Sequence, residues 1–299
     1  MTSRIRSEVN RSIERNRTSP LRCTIPRTAV LLLSGPGRPV FTVPLKRGLP
    51  PTCTTSVLAE TEYGFTDRWS ATLGIPYVFA KYTGAGPPIS GLRIDTCRCW
   101  QSAFQDFSAT VRYRFGSDTW AVTPSVGYGL PSHNYDYVGE AVVGRNLNEA
   151  RLGISSGLRL VDLLPKASIQ ATYIYSFVER PIDTISLNRS NLFMDFGYAL
   201  TSQFYVRGGT DLQRPHSGLR FGSPTGHPFP PPGELNTPQR FAHRDRLLCS
   251  NYWHAGVGTS FDAGPVDLFA EFTKYLNGTD THNGRVFTFG STWYFDLHK

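Results

Sequence analysis

Asp106-Phe107-Ser108-Ala109-Thr110-Val111-Arg112-Tyr113-Arg114-Phe115 alternates polar and apolar residues without an exception. Gly116-Ser117-Asp118 then supplies turn chemistry, and the alternation restarts. Trp120, Val122, Pro124, Val126, Tyr128 and Leu130 take one side; Thr119, Ala121, Thr123, Ser125, Gly127 and Gly129 take the other. A period of two sends successive side chains to opposite faces of a strand. The segment therefore predicts an antiparallel hairpin with one apolar and one polar face. Each arm has the ~9–11 residues that a tilted strand needs to cross a bilayer.

Outward from this hairpin the same pattern repeats. Val57, Ala59, Thr61 and Tyr63 alternate with Glu60 and Glu62, and Trp69 through Phe79 form the next strand. After the hairpin come strands at 150–160, 167–177, 191–200, 204–213, 253–261, 266–275 and 285–295, giving eleven from residue 54 onward. The connections at 66–68, 116–118, 162–165, 201–203 and 262–265 are short. Those at 80–105, 131–149, 179–190, 214–250 and 276–284 are long, and the two kinds alternate strictly. Tight turns at one end and long loops at the other describe an all-β, up-and-down transmembrane barrel. A soluble Greek-key sandwich does not sort its loop lengths this way.

Parity adds a strand. A closed single-chain bacterial barrel has an even strand number with both termini at the short-turn end. Twelve strands are expected, with Pro39-Val40-Phe41-Thr42-Val43 as weak material for the first.

Composition agrees with this reading. Charged residues make up 18% of the 299, aromatics 13%, and there are 28 glycines. No run approaches the ~18 apolar residues of a spanning helix. The net charge of +8 sits in residues 1–53, which hold ten Lys/Arg and two Glu; residues 54–299 are balanced. The chain thus divides into a basic leader, 1–53, expected to be disordered or a mis-called start, and a neutral barrel, 54–299. No nucleic-acid partner is expected, because the basicity is not part of the folded body.

Aromatics recur near strand ends, as interfacial girdles require. The face opposite the apolar one carries Glu60, Glu62, Arg112, Arg114, Arg159, Asp195, Arg207 and Glu271. These charges would be costly in a dry core but not in a hydrated lumen. They are the candidate lumen-lining residues, either a basic ladder facing acids across a pore or a mutually neutralised plug. The partners expected are membrane lipid and a small solute.

Candidate chemistry elsewhere is thin, so no enzymatic activity, metal or cofactor is expected. Ser132-His133-Asn134 has hydrolase residue types, but neighbours in one loop do not form a relay across a site. His216, His227 and His243 are spaced by 11 and 16 residues, which is not a ligand spacing. The five cysteines include no C-x-x-C pair; they are read as incidental, with a Cys249 disulfide to Cys97 or Cys99 as the sharper alternative.

Glu62-Tyr63-Gly64-Phe65-Thr66-Asp67-Arg68-Trp69, followed by Gly74-Ile75-Pro76-Tyr77, resembles the hairpin of outer-membrane proteins grouped as phenol meta-pathway-like transporters. Arg112-Tyr113-Arg114-Phe115, Pro124-Ser125-Val126-Gly127-Tyr128 and Gly290-Ser291-Thr292-Trp293 fit the same template. The resemblance covers about residues 55–295. It implies passive transport of small aromatic or hydrophobic solutes across the cell outer membrane. Two rival readings stand beside it: a structural or surface-interaction barrel with a closed lumen, and an outer-membrane hydrolase. The chain departs from the template in lacking a signal peptide and in ending Phe295-Asp296-Leu297-His298-Lys299.

Overall fold

A computed structural model describes residues 24–32, 52–82, 97, 99–117, 119–139, 141–160, 163–181, 185–220, 240, 243–281 and 284–296. Only the backbone is described at 24–32, 52–53, 244–245 and 294–296. Among the described residues, twelve antiparallel strands follow one another: β1 (Thr24–Leu32), β2 (Thr52–Gly64), β3 (Trp69–Tyr82), and β4, which runs in three segments (Gln101–Phe104, Asp106–Tyr113, Phe115–Gly116). Then come β5 (Trp120–Pro131), β6 (Glu149–Arg159), β7 (Ala167–Val178), β8 (Arg189–Ala199), β9 (Phe204–Pro215), β10 (Asn251–Asp262), β11 (Val266–Thr279) and β12 (Arg285–Asp296). Each strand pairs with the next, and β1 pairs both with β12 (Thr24↔Asp296 to Leu31↔Phe289) and with β2 (Arg27↔Thr61 to Leu32↔Ser56). The sheet closes on itself, which removes every edge.

The twelfth strand comes from Thr24–Leu32, so the barrel begins upstream of Thr54. Pro39–Val43 lies outside the described residues. The strand escaped sequence reading because Ala29-Val30-Leu31-Leu32 is a continuous aliphatic run with no alternation to detect. Both β1's start and β12's end lie at the short-turn rim.

Local chemistry builds the short turns. Thr66 Oγ1 accepts the backbone N–H of Arg68 (3.2 Å) and of Trp69 (3.0 Å). Thr201 Oγ1 does the same for Gln203 (3.2 Å) and Phe204 (3.0 Å). In the turn before β11, Asp262 Oδ1 accepts the N–H of Gly264, whose φ of 89° suits glycine.

Proline sets the irregularities of β4. Tyr77 pairs with Phe104 but Gly74 pairs with Ser108, so β4 has one residue more than β3 around Gln105. This is a β-bulge opposite Pro76, whose carbonyl accepts the Gln105 N–H at 3.0 Å. The stretch 101–104, read from sequence as loop, therefore extends the strand. The bulge shifts its phase by one residue, and Phe104 and Phe107 come to the same side with ring centroids 6.2 Å apart. A second gap in the ladder, between Arg112↔Ser125 and Phe115↔Val122, falls opposite Pro124, which has no N–H to give.

The apolar faces all point outward. Leu73, Val111, Val126, Leu152, Ile154, Met194, Val257 and Phe289 are exposed, Val126 by 62% and Val257 by 66%. The inner face is mainly polar or small: Thr72 and Ser176 are buried, as are Gly74, Gly127 and Gly129, with Val78 and Tyr82 among its few large apolar side chains. Aromatic residues edge the apolar band at both rims. Trp69 and Tyr113 (centroids 4.7 Å apart), Tyr113 and Phe115 (4.5 Å), and Trp120 and Trp293 mark the short-turn side. Tyr77 and Phe104 (4.9 Å), Tyr175 and Phe177 (4.7 Å), and Trp253 mark the other. An apolar belt between aromatic girdles needs a hydrocarbon surrounding.

The apolar core among the described residues lies at the long-loop end. Leu147, Val178, Leu187, Leu219, Leu247 and Leu248 bury one another there, and Leu247 is 0% exposed. Segments 141–148, 216–220 and 243–250 supply most of it, joined by the bridge Leu219↔Leu248. Ala141 also packs on Ala80 and Tyr82 of β3, which face inward. The loops thus dip into the mouth of the barrel and form a cap.

Candidate functional site: the lumen and its capped mouth

Three charge clusters lie on the wall, and each is built across a middle strand. In the first, Arg112 of β4 reaches over β3 to Glu62 of β2, at 3.5 Å. Glu60, two residues along β2, lies within the electrostatic reach of both. In the second, Arg207 of β9 reaches over β10 to Glu271 of β11, Nη2 to Oε2 at 2.7 Å. The residue between them is Gly258, and a Cβ there would come within 3.2 Å of Arg207 Nε and 2.8 Å of the Ala270 carbonyl oxygen. Glycine is what lets the pair lie flat on the wall. Arg207 also stands 5.3 Å from the Phe269 ring centroid, and Asp195 of β8 faces Arg207 and Glu271 electrostatically. Both pairs are more than a third exposed on the arginine side, so each adds at most ~1 kcal/mol to stability.

The third cluster, nearer the mouth, is centred on the buried Glu149. Arg151 of β6 and Arg189 of β8 flank Ser176 of β7 in register. Both hold Glu149: Arg151 Nε donates to Oε1 at 3.0 Å, and Arg189 Nη2 donates to Oε2. Arg189 Nη1 is buried with no hydrogen-bond partner among the described residues. Breaking such a buried network from one side leaves charge uncompensated, at ~3–5 kcal/mol. Beside it, Asp211 and His254 pair across β9 and β10 at 3.7 Å, with Tyr252 stacked on His254 at 4.4 Å.

The other two sequence candidates sit at the short-turn rim. Arg114 donates Nη2 to the Ser117 carbonyl at 3.0 Å and closes its own turn. Arg159 ends β6, where its backbone N–H donates to the Thr119 carbonyl at 2.8 Å. Six candidates fall into two groups on opposite walls of the ring: Glu60, Glu62 and Arg112 on β2 and β4, and Asp195, Arg207 and Glu271 on β8, β9 and β11.

Sequence reasoning missed the buried cluster. Arg151 and Asp106 were legible on polar faces, but Glu149 and Arg189 stand at loop-to-strand junctions where the period of two is lost. Arg246 carried no signal at all.

The cap is fastened to the wall and to itself. The Tyr135 hydroxyl donates to Asp106 Oδ1 and accepts the Asn146 N–H at 2.8 Å. Burial, then the hydrogen bond to Asp106, pushes the Tyr135 phenol well above its usual range. Arg246, on the single helical turn α1 (Arg244–Leu247), donates to the Asn146 carbonyl and lies 3.8 Å from the Tyr137 ring centroid. His243 stacks on that ring at 5.2 Å, and burial, with the Arg246 charge second, holds its imidazole below the ordinary range. Between cap and wall is a cavity of about 560 Å³. Arg151, Arg189, Glu149, Asp106, Tyr252 and Val143 are among its lining residues.

The remaining sequence candidates are dispersed. Ser132 Oγ donates to the Phe104 carbonyl at 2.7 Å and lies 2.8 Å from His133 Nδ1. Asn134 is turned away, its Oδ1 accepting from Asn146 at 2.9 Å. His216 stacks on Tyr175 at 5.3 Å and meets Ser190, away from His243 in the cap, and His227 lies outside the described residues. Cys97 is bonded to Cys99, which overturns a bridge from either to Cys249.

No family model matches the chain, and no curated protein matches it. Among solved structures, it is similar to an outer-membrane channel from Pseudomonas putida F1, at 12% identity and a TM-score of 0.57, over 93% of this chain and 97% of that one. The fold is that of an outer-membrane β-barrel. The NanC porin (10% identity, 91% of this chain and 98% of that one, TM-score 0.48) and the KdgM porin (8%, 91% and 99%, 0.46) are more distant. The barrel's exposed apolar belt agrees with this placement independently of any likeness.

Proposed function

We propose that the chain is a passive channel of the cell outer membrane that admits small solutes. The observation that carries this is the mouth cavity, which is lined by inward-facing strand residues and opens between the cap and a polar lumen. Its lining mixes Val142, Val143, Leu147 and Tyr252 with the Glu149, Arg151 and Arg189 cluster. Such a surface suits small aromatic or hydrophobic solutes with one polar group, since the apolar side chains supply burial and the arginines orientation. The Tyr63-Gly64-Phe65-Thr66-Asp67-Arg68 hairpin supports the same solute class, through its resemblance to phenol meta-pathway-like transporters. On this reading the lumen residues act as a transverse field that filters by size and charge.

A second reading, a barrel closed at its mouth, is favoured by the fully buried Leu247 and by the Arg246 fastening between loops. One experiment separates the two. Single-channel recording in planar bilayers is expected to give steady conductance from the native chain, rising in Arg246→Ala. A native chain that is silent while Arg246→Ala conducts supports the closed reading, and silence from both sinks the channel.

A further inference from the structure

We propose that the long-loop rim of the outer wall, over β9 to β12, binds the phosphate groups of an anionic lipid headgroup. Lumen arginines and rim cations behave differently. Arg112, Arg151, Arg189 and Arg207 all have carboxylate partners. On the outside, Lys274 and Arg285 are register partners directly opposite each other on β11 and β12. They follow Phe272 and Phe287, whose rings meet at 4.7 Å on the lipid-facing side, and both are exposed. Like charges in that relation repel, and no carboxylate is paired with either among the described residues.

Around the same rim, Arg214 continues the outward face of Leu212, exposed and without a carboxylate partner among the described residues. It lines an outer groove of about 490 Å³ whose walls include Leu212, Pro215 and Trp253, with Arg220 and Asn251 at its edge. Asp280, in the connection between β11 and β12, lines the mouth cavity, and Glu179, after the end of β7, already accepts from the Asn148 backbone and side chain at 2.9 and 2.7 Å. The arrangement is apolar below and cationic above. It fits a lipid whose acyl chains lie on the belt and whose phosphates meet guanidinium and ammonium groups. At the short-turn rim the cations are interspersed with acids: Arg68, Arg114, Arg159 and Lys166 stand with Asp67, Asp262 and Asp267.

The proposal does not depend on whether the lumen conducts. Its test uses the full chain folded into phosphatidylcholine vesicles with or without diphosphoryl lipid A. The readout is the temperature at which the folded band is lost on unboiled gels. Lipid A is expected to raise that temperature for the native chain, and K274Q/R285Q to lose at least half of the rise. Lys166→Gln, at the other rim, is expected to keep it. In plain vesicles K274Q/R285Q should be no less stable than the native chain, because it removes a repulsion. Arg214→Gln provides a second reading of the same loss. An unchanged rise in both variants, no rise in the native chain, or an equal rise from inorganic phosphate alone overturns the proposal.

Discussion

The transmembrane wall and the loop cap are built by opposite rules within one chain. In the wall, Val126, Val257 and Leu152 point away from the protein while Ser176, Thr72 and Glu149 point into it. In the cap, Leu147, Leu219, Leu247 and Leu248 turn inward and bury one another, as in any water-soluble domain. The difference lies in what each region faces. Hydrocarbon accepts apolar side chains at no cost but leaves backbone polar groups unsolvated, so the wall must close its ladder and hide its charges inside. The cap stands in water, so burial of leucine again provides the driving force.

The largest effect should come from reversing the wall's rule at mid-height. Val126→Arg places a charge in the middle of the belt and is expected to cost ~2–4 kcal/mol, read from urea titration of the barrel folded in vesicles. Gln170→Arg, on the lumen face, should stay within ~0.5 kcal/mol. Equal losses from the two would mean that the outer face does not meet lipid.

The cap should break separately. Leu247→Ala removes the most buried leucine and is expected to cost ~2–5 kcal/mol of cap stability. Amide exchange in 243–248 should accelerate while the wall keeps its heat-modifiable mobility. If wall and cap soften together, they are one cooperative unit rather than two.

The smallest effect concerns pH. The His243 imidazole is held low in the closed cap. Above pH ~6.5 it is neutral whether the cap is open or closed. As pH falls below that value the open form takes the proton first, so the closed cap loses stability until the depressed value has been passed. Exchange in 243–248 should therefore rise on acidification, and His243→Gln should flatten the dependence. A native profile that is already flat would remove His243 from the fastening.

How much of this was readable depends on the residue. The hairpin 106–130 and the outward faces of β5 to β12 followed from alternation alone, because each strand meets two different solvents and its side chains must sort between them. The bulge at Gln105 was hidden because an extra residue breaks the very period used to find strands, and its cause, Pro76, lies on a neighbouring strand. Strand β1 was hidden for the converse reason: its second half, Ala29-Val30-Leu31-Leu32, is a continuous aliphatic run with no phase. The charge clusters were half readable. Alternation put Arg112, Arg207 and Glu271 on the inner face, but pairing each with its partner needs the register of an intervening strand.

By itself, then, the sequence determined a two-faced sheet, its up-and-down order, and which rim carries the long loops. These are consequences of local periodicity and turn chemistry. Tertiary structure decided what closes the ring, which charges neutralise each other across Ser176 and Gly258, and that segments 141–148, 216–220 and 243–250 fold back into the mouth. Those contacts join residues far apart in the chain, and only the registers that bring them together select among the partners that composition allows.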